Sequence, residues 1–182
     1  MSFRLVVLFG RPGVGKLTIG RHLAERTGFR LFHNHLAFDL ALSLFKFGSP
    51  EFIDLREEVW LSSLVRAARS DLSGVIFTFG PESTVRDSFI PELQERIKGT
   101  GGLVSFVELT CAPDEHHRRL TQPDRAKYAK LRDVKTYEIA AAQGRFDHPV
   151  MPKPDHVVDT THMSAEEAAE RIAEFLARSA PA

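Results

Sequence analysis

Gly10-Arg11-Pro12-Gly13-Val14-Gly15-Lys16 has GxxxxGK spacing, which suits a backbone that must wrap a chain of phosphates. Glycines reach conformations that other residues avoid, so successive N–H groups can turn toward one anion. Lys16 would reach the terminal phosphates as a point charge. The plain alternative is a glycine-rich turn with a chance lysine. The flanks argue against it. Arg4-Leu5-Val6-Val7-Leu8-Phe9 is an apolar, β-branched run of strand length, and Leu17 to Arg26 has helical spacing with Ile19 and Leu23 on one side. Strand, glycine loop and helix is the context in which this loop binds phosphate, with the positive end of the helix added to it.

One position departs from the full pattern. The residue after the lysine is ordinarily Ser or Thr, whose hydroxyl meets Mg²⁺. Here it is Leu17, and the hydroxyl comes one place later at Thr18. A helix turns by about 100° per residue, so Thr18 is not a simple replacement. Either Thr18, other groups and waters hold the metal, or the loop is shifted.

A second set of reactive side chains follows the second predicted strand, Phe29–His33. In an extended segment His33 and His35 project to the same side, with Asn34 between them. The carboxyl ends of parallel strands are where ligands bind, and this strand is expected beside the phosphate-loop strand. With a helix starting near Asn34 or His35, Asp39 falls one turn beyond His35. A carboxylate there could orient the imidazole as a base for an acceptor hydroxyl. The alternatives are hydrogen bonding only, or a two-histidine metal site, for which two ligands are too few.

Further strands are predicted at Val75–Phe79, Leu103–Leu109 and His156–Asp159. Helices are expected from about Leu36 to Leu44, from Pro50 to Ser70 with Ser49 as cap, and from Thr84 to Lys98 with Pro91 starting or kinking part of it. Others run from Pro113 to Leu120, from Asp133 to Gln143 before Gly144, and from a capping box at Ser164 and Glu167. The polar, basic stretch from Thr121 to Arg132 reads as a loop. This alternation predicts a single α/β domain over residues 1–182: a five-stranded parallel sheet with helices on both faces. Trp60 is read as core. Arg56 could meet an anionic acceptor or form a surface ion pair with Glu57 or Glu58.

Composition bounds the function classes. The 182 residues carry 24 basic and 24 acidic side chains, so a nucleic-acid binder working through bulk charge is not expected. Hydrophobic content of 43% suits a globular domain. One cysteine, Cys111, excludes an internal disulfide and suits a reducing cytoplasm; it reads as a packed thiol. No apolar run has the length of a membrane helix, and the start of the chain does not read as a signal peptide. A monomer is expected.

The chain from Gly10 to Ala24 closely resembles small P-loop kinases, in particular the shikimate-kinase-like branch of the nucleoside-monophosphate-kinase group. Val158-Asp159-Thr160-Thr161 and the helix after Ser164 resemble the last strand and helix of that group, and Gly80 matches a glycine ending its third strand. The resemblance implies the three-layer P-loop fold, a small lid at about residues 121–132, ATP with Mg²⁺, and transfer of the γ-phosphoryl to a small acceptor. It also implies lid arginines that stabilise the transferred charge. Arg119 and Arg125 match them best, with Arg118, Lys127 and Lys130 nearby. Two departures point away from shikimate. His33 and His35 stand where the group carries Asp-x-Asp, and Phe52-Ile53 stands where a Phe-Arg pair would grip the shikimate carboxylate.

Two other classes compete with the kinase. An NTP-hydrolysing switch would carry Asn-Lys-x-Asp or Asp-x-x-Gly after the third strand, and neither is present. A nucleotide-binding module without catalysis is favoured by Leu17 alone.

Overall fold

The computed structural model describes residues 2–121, 133–147 and 151–179. Five strands form one parallel sheet: β1 (Arg4–Phe9), β2 (Arg30–His33), β3 (Gly74–Phe79), β4 (Leu103–Thr110) and β5 (His156–Asp159). Their spatial order is β2-β3-β1-β4-β5. The seven helices among the described residues are α1 (Lys16–Thr27), α2 (His35–Leu44), α3 (Pro50–Ala68), α4 (Phe89–Lys98), α5 (Pro113–Leu120), α6 (Val134–Ala142) and α7 (Ala165–Arg178). The predicted α/β architecture is the one observed.

Alternation along β1 builds two cores. Leu5, Val7 and Phe9 point to one face and pack with Trp60 and Leu64 of α3 and Leu93 and Ile97 of α4. Val6 and Leu8 point to the other and pack with Ile19 and Leu23 of α1 and Ala168 and Ile172 of α7. Every residue of β1 and β3 is buried, as expected for strands covered on both sides.

Local chemistry sets most element boundaries. Ser49 accepts from the Phe52 N–H at 3.3 Å, with Pro50 in the first turn. Asp133 accepts from the Thr136 N–H at 2.7 Å. The Ser164–Glu167 capping box opens α7.

Two expectations are corrected. The helix predicted from Thr84 begins only at Phe89. Pro91 lacks an N–H and fits in the first helical turn, where no intrahelical acceptor is needed, so it fixes the start close before it. The second strand does not lie beside the phosphate-loop strand either. β2 pairs with β3, and β3 separates it from β1. The lid region at residues 122–132 and Arg125 lie outside the described residues.

Candidate active site

The loop after β1 is shaped for an anion. Gly10, Gly13 and Gly15 all have positive φ. A Cβ at Gly10 would stand 2.4 Å from the Leu109 carbonyl oxygen, and Gly10 has φ +144°, so only glycine fits there. Lys16 opens α1 and arches back over the loop, where Nζ donates to the Gly10 and Arg11 carbonyls at 2.6 and 2.9 Å. The ammonium thus lies against the backbone that would surround a phosphate.

Helix α5 braces this loop from below. His116 is buried, and its Nε2 hydrogen-bonds to the Pro12 carbonyl, which calls for the Nε2–H tautomer. Burial pushes His116 below the ordinary imidazole range, and the nearby His117, Lys16 and Arg11 act in the same direction. Arg119 donates to Glu115 Oε1 at 2.6 Å, to the Thr160 hydroxyl at 2.8 Å and to the Thr160 carbonyl at 2.6 Å. A longer bond of 3.3 Å reaches the Val14 carbonyl. Arg118 and Arg119 together hold the Glu115 carboxyl at about 2.

The two histidines meet at a strand-to-helix corner. His33 ends β2 and His35 begins α2, so their proximity does not come from an extended run as the sequence predicts. Their ring centroids are 6.5 Å apart. The Asn34 N–H donates to the Thr78 hydroxyl on β3 at 3.3 Å, and Trp60 Nε1 donates to the Asn34 carbonyl at 3.3 Å. These bonds fix the corner to the sheet and to α3. Asp39 lies one turn along α2, with Oδ1 3.8 Å from His35 Nδ1. That is an ion-pair distance, longer than a hydrogen bond.

The opposite wall carries Glu82, which sequence reasoning missed, and Arg56, which it read as an acceptor contact or a surface ion pair. Glu82 follows β3 by three positions and is held by Arg56 and by the Thr84 hydroxyl, the latter at 2.6 Å. Arg56 is fully buried rather than at the surface. It also donates to the Thr84 carbonyl at 2.9 Å, lies 3.5 Å from Glu57, and faces the Phe52 and Trp60 rings. Burial raises the Glu57 carboxyl above its ordinary value, against the lowering effect of the Arg86 N–H and Arg56. The available signal for Glu82 was its place just beyond the carboxyl end of an interior strand.

One cleft of about 410 Å³ joins these parts. Lys16, Leu17 and Thr18 line it with His33, His35 and Glu82. Arg119 reaches it from α5, Arg145 and Phe146 from beyond α6, and Phe38 and Phe47 from α2 and the following turn. Trp60 belongs to the core as expected and also contributes to the cleft. Asp39 is beside the cleft through His35 and does not line it. Cys111 is half-buried, and burial raises its thiol, in keeping with a packed residue.

The donors fit a nucleotide triphosphate better than a resident metal cage. The bare glycine backbone and Lys16 form an anion cradle. Among the described residues no group of three or more His, Cys, Asp or Glu is placed to hold a metal. Thr18 is exposed on the cleft, and Leu17 is half-buried there. Mg²⁺ commonly takes few protein ligands and completes its shell with phosphates and water, so this donor set is compatible with it. No described helix is long and apolar enough to cross a membrane.

The fold matches that of small P-loop kinases, and the shikimate-kinase-like resemblance read from the sequence holds in comparison with known proteins. A shikimate kinase of Pseudoalteromonas atlantica is 27% identical over 178 residues, covering 94% of this chain and 95% of its own. Among solved structures, a sugar kinase from Janibacter superposes with a TM-score of 0.66 at 17% identity, covering 97% and 96% of the two chains. Shikimate kinase from Acinetobacter baumannii, solved with shikimate, gives 0.57 at 21% identity over 97% and 95%. No protein-family model matches the chain.

Proposed function

We propose that the protein transfers the γ-phosphoryl group of ATP to a hydroxyl of a small molecule other than shikimate. The observation that carries this reading is the shared cleft: the phosphate loop and the His33–His35 corner line one cavity of about 410 Å³. A donor phosphate and an acceptor hydroxyl would meet in that cavity. Phosphoryl transfer rests on positioning and cationic stabilisation more than on covalent chemistry.

In this reading the N–H groups of Gly13, Gly15 and Lys16 and the Lys16 ammonium hold the terminal phosphates. Arg11, Pro12 and Val14 shape the loop between the glycines. The Thr18 hydroxyl would help to hold Mg²⁺, which would supply positive charge to offset that of the phosphates. Arg119 brings positive charge to the α5 side of the cleft, held in place by Glu115 and Thr160. His35 takes the proton of the attacking hydroxyl as the new O–P bond forms and the bond to the ADP oxygen breaks. Asp39 orients His35 and stabilises the imidazolium.

The test is ADP release from the full chain with Mg²⁺ and ATP, with and without a panel of alcohols, sugars and nucleosides. Acceptor-dependent release supports the kinase. Equal release without any acceptor would indicate a hydrolase, and ATP binding without turnover a binding module.

A further inference from the structure

We propose that the acceptor is a neutral, hydroxyl-rich molecule, gripped by Glu82 rather than by an arginine. This rests on the kinase reading above and names the acceptor class that reading leaves open.

The argument begins with where Arg56 spends its charge. A buried guanidinium facing the cleft would be the natural clamp for an anionic acceptor, because its planar fork matches a carboxylate. Arg56 does not face the cleft. It is fully buried, and its terminal nitrogens are committed to Glu82 and Thr84, with Glu57 at 3.5 Å. What lines the cleft is its partner, Glu82. The wall therefore presents an acid backed by a base.

Glu82 is prepared for hydroxyl donors. Arg56 and Thr84 both donate to Oε1. Among the described residues no donor meets Oε2. The side chain is 18% exposed, so it is largely withdrawn from water, and Glu82 lines the cavity. Arg56 and Thr84 hold its position and offset the cost of burying its charge. A ligand hydroxyl donating to Oε2 completes the set. A ligand carboxylate there would meet like charge in a half-buried site, which is strongly unfavourable.

The surroundings fit the same molecule. Phe38 and Phe47, 5.9 Å apart, form an aromatic wall that begins next to His35, whose ring is 5.4 Å from Phe38. Phe47 packs 5.3 Å from Phe52, over which Arg56 lies. Aromatic faces beside a few fixed polar groups suit the C–H face and the hydroxyl edge of a sugar-like ring. Arg145, which also lines the cleft, is exposed and lies 5.5 Å over the Phe47 ring.

The test compares matched neutral and anionic acceptors on the full chain with Mg²⁺ and ATP: D-glucose against D-glucuronate, and methyl shikimate against shikimate. The neutral member of each pair should be preferred at least about tenfold in kcat/KM. Glu82→Gln keeps the shape and removes the charge, and should raise KM for the neutral acceptor by about 10- to 100-fold, with a smaller effect on kcat and none on ATP affinity. Glu82→Asp should keep the neutral preference, which separates charge from mere packing. Circular dichroism confirms that the variants are folded. Preference for the carboxylates, or an unchanged KM in folded Glu82→Gln, would overturn the proposal. Binding is read separately as the shift in melting temperature with a non-hydrolysable ATP analogue present. Neutral compounds that bind without being phosphorylated would support the acceptor class and overturn the kinase reading. Absence of binding by every neutral compound would overturn the acceptor class itself.

Discussion

Arg119 donates to the carbonyl of Thr160 at 2.6 Å and to its hydroxyl at 2.8 Å, which ties α5 to the end of β5. The same guanidinium reaches the Val14 carbonyl in the phosphate loop and pairs with Glu115 on its own helix. One side chain thus joins the loop, the helix beneath it and the last strand. These bonds fix the position of the guanidinium at the α5 side of the cleft.

This brace should be acid-sensitive. The Glu115 carboxyl is lowered from its ordinary 4.5 to about 2 by Arg118 and Arg119. A depressed carboxyl contributes stability that is present above 4.5 and lost as pH falls toward 2. Thermal melting of the wild type and Glu115→Gln should therefore converge as pH drops through that window. A constant difference between them from neutral pH to 2 would contradict the brace.

Lys16→Ala should weaken ATP binding by about 10- to 100-fold, the worth of one charge-assisted contact, while leaving the fold intact. Lys16 contributes to the cleft lining and is absent from both hydrophobic cores. Calorimetric titration with ATP reads the loss. A folded variant with wild-type affinity would remove the phosphate loop from the mechanism.

Gly10→Ala should destabilise the protein by about 1–3 kcal/mol and impair nucleotide binding with it. The added Cβ meets the Leu109 carbonyl oxygen at 2.4 Å with φ at +144°. Urea denaturation measures the first effect and ATP titration the second. An unchanged midpoint would mean that the loop can relax around a side chain.

His35→Gln should preserve ATP binding and lower acceptor phosphorylation by about 10²–10⁴-fold, the usual range for a positioned general base. Asp39→Asn should cost less, since it acts through His35 at 3.8 Å, and the double variant should be less than additive. Near-normal transfer by His35→Gln would move the base to another group of the cleft.

Arg56→Met should destabilise the fold by about 3–5 kcal/mol, because it strands buried carboxylate charge. Glu82→Gln in the same chain should recover part of that loss, since its charge is then no longer left behind. Denaturant unfolding of the single and double variants gives the coupling. Strict additivity would show that Arg56 and Glu82 do not act as a pair.

Much of this molecule is written in local sequence. Gly10 to Lys16 announces the loop because its backbone conformation depends on residues within a few positions. The capping box at Ser164 and Glu167 and the cap at Ser49 are equally local, and each appears in the structure where it is expected. The alternation of apolar runs fixes the α/β class, since a strand buried on both faces and a helix with one apolar stripe have different periods. The neighbour of β2 is another matter. Pairing β2 with β3 rather than β1 depends on contacts between segments more than 40 positions apart, which no local pattern encodes. The same limit hid the roles of Arg56 and Glu82. Read along the chain, Arg56 stands beside Glu57 and Glu58 and resembles a surface charge. Only when α3 packs against the turn after β3 does it become a fully buried partner of a residue 26 positions away. Helix periodicity sets which face of α3 is apolar, but burial of a charge on that face depends on the distant carboxylate that meets it.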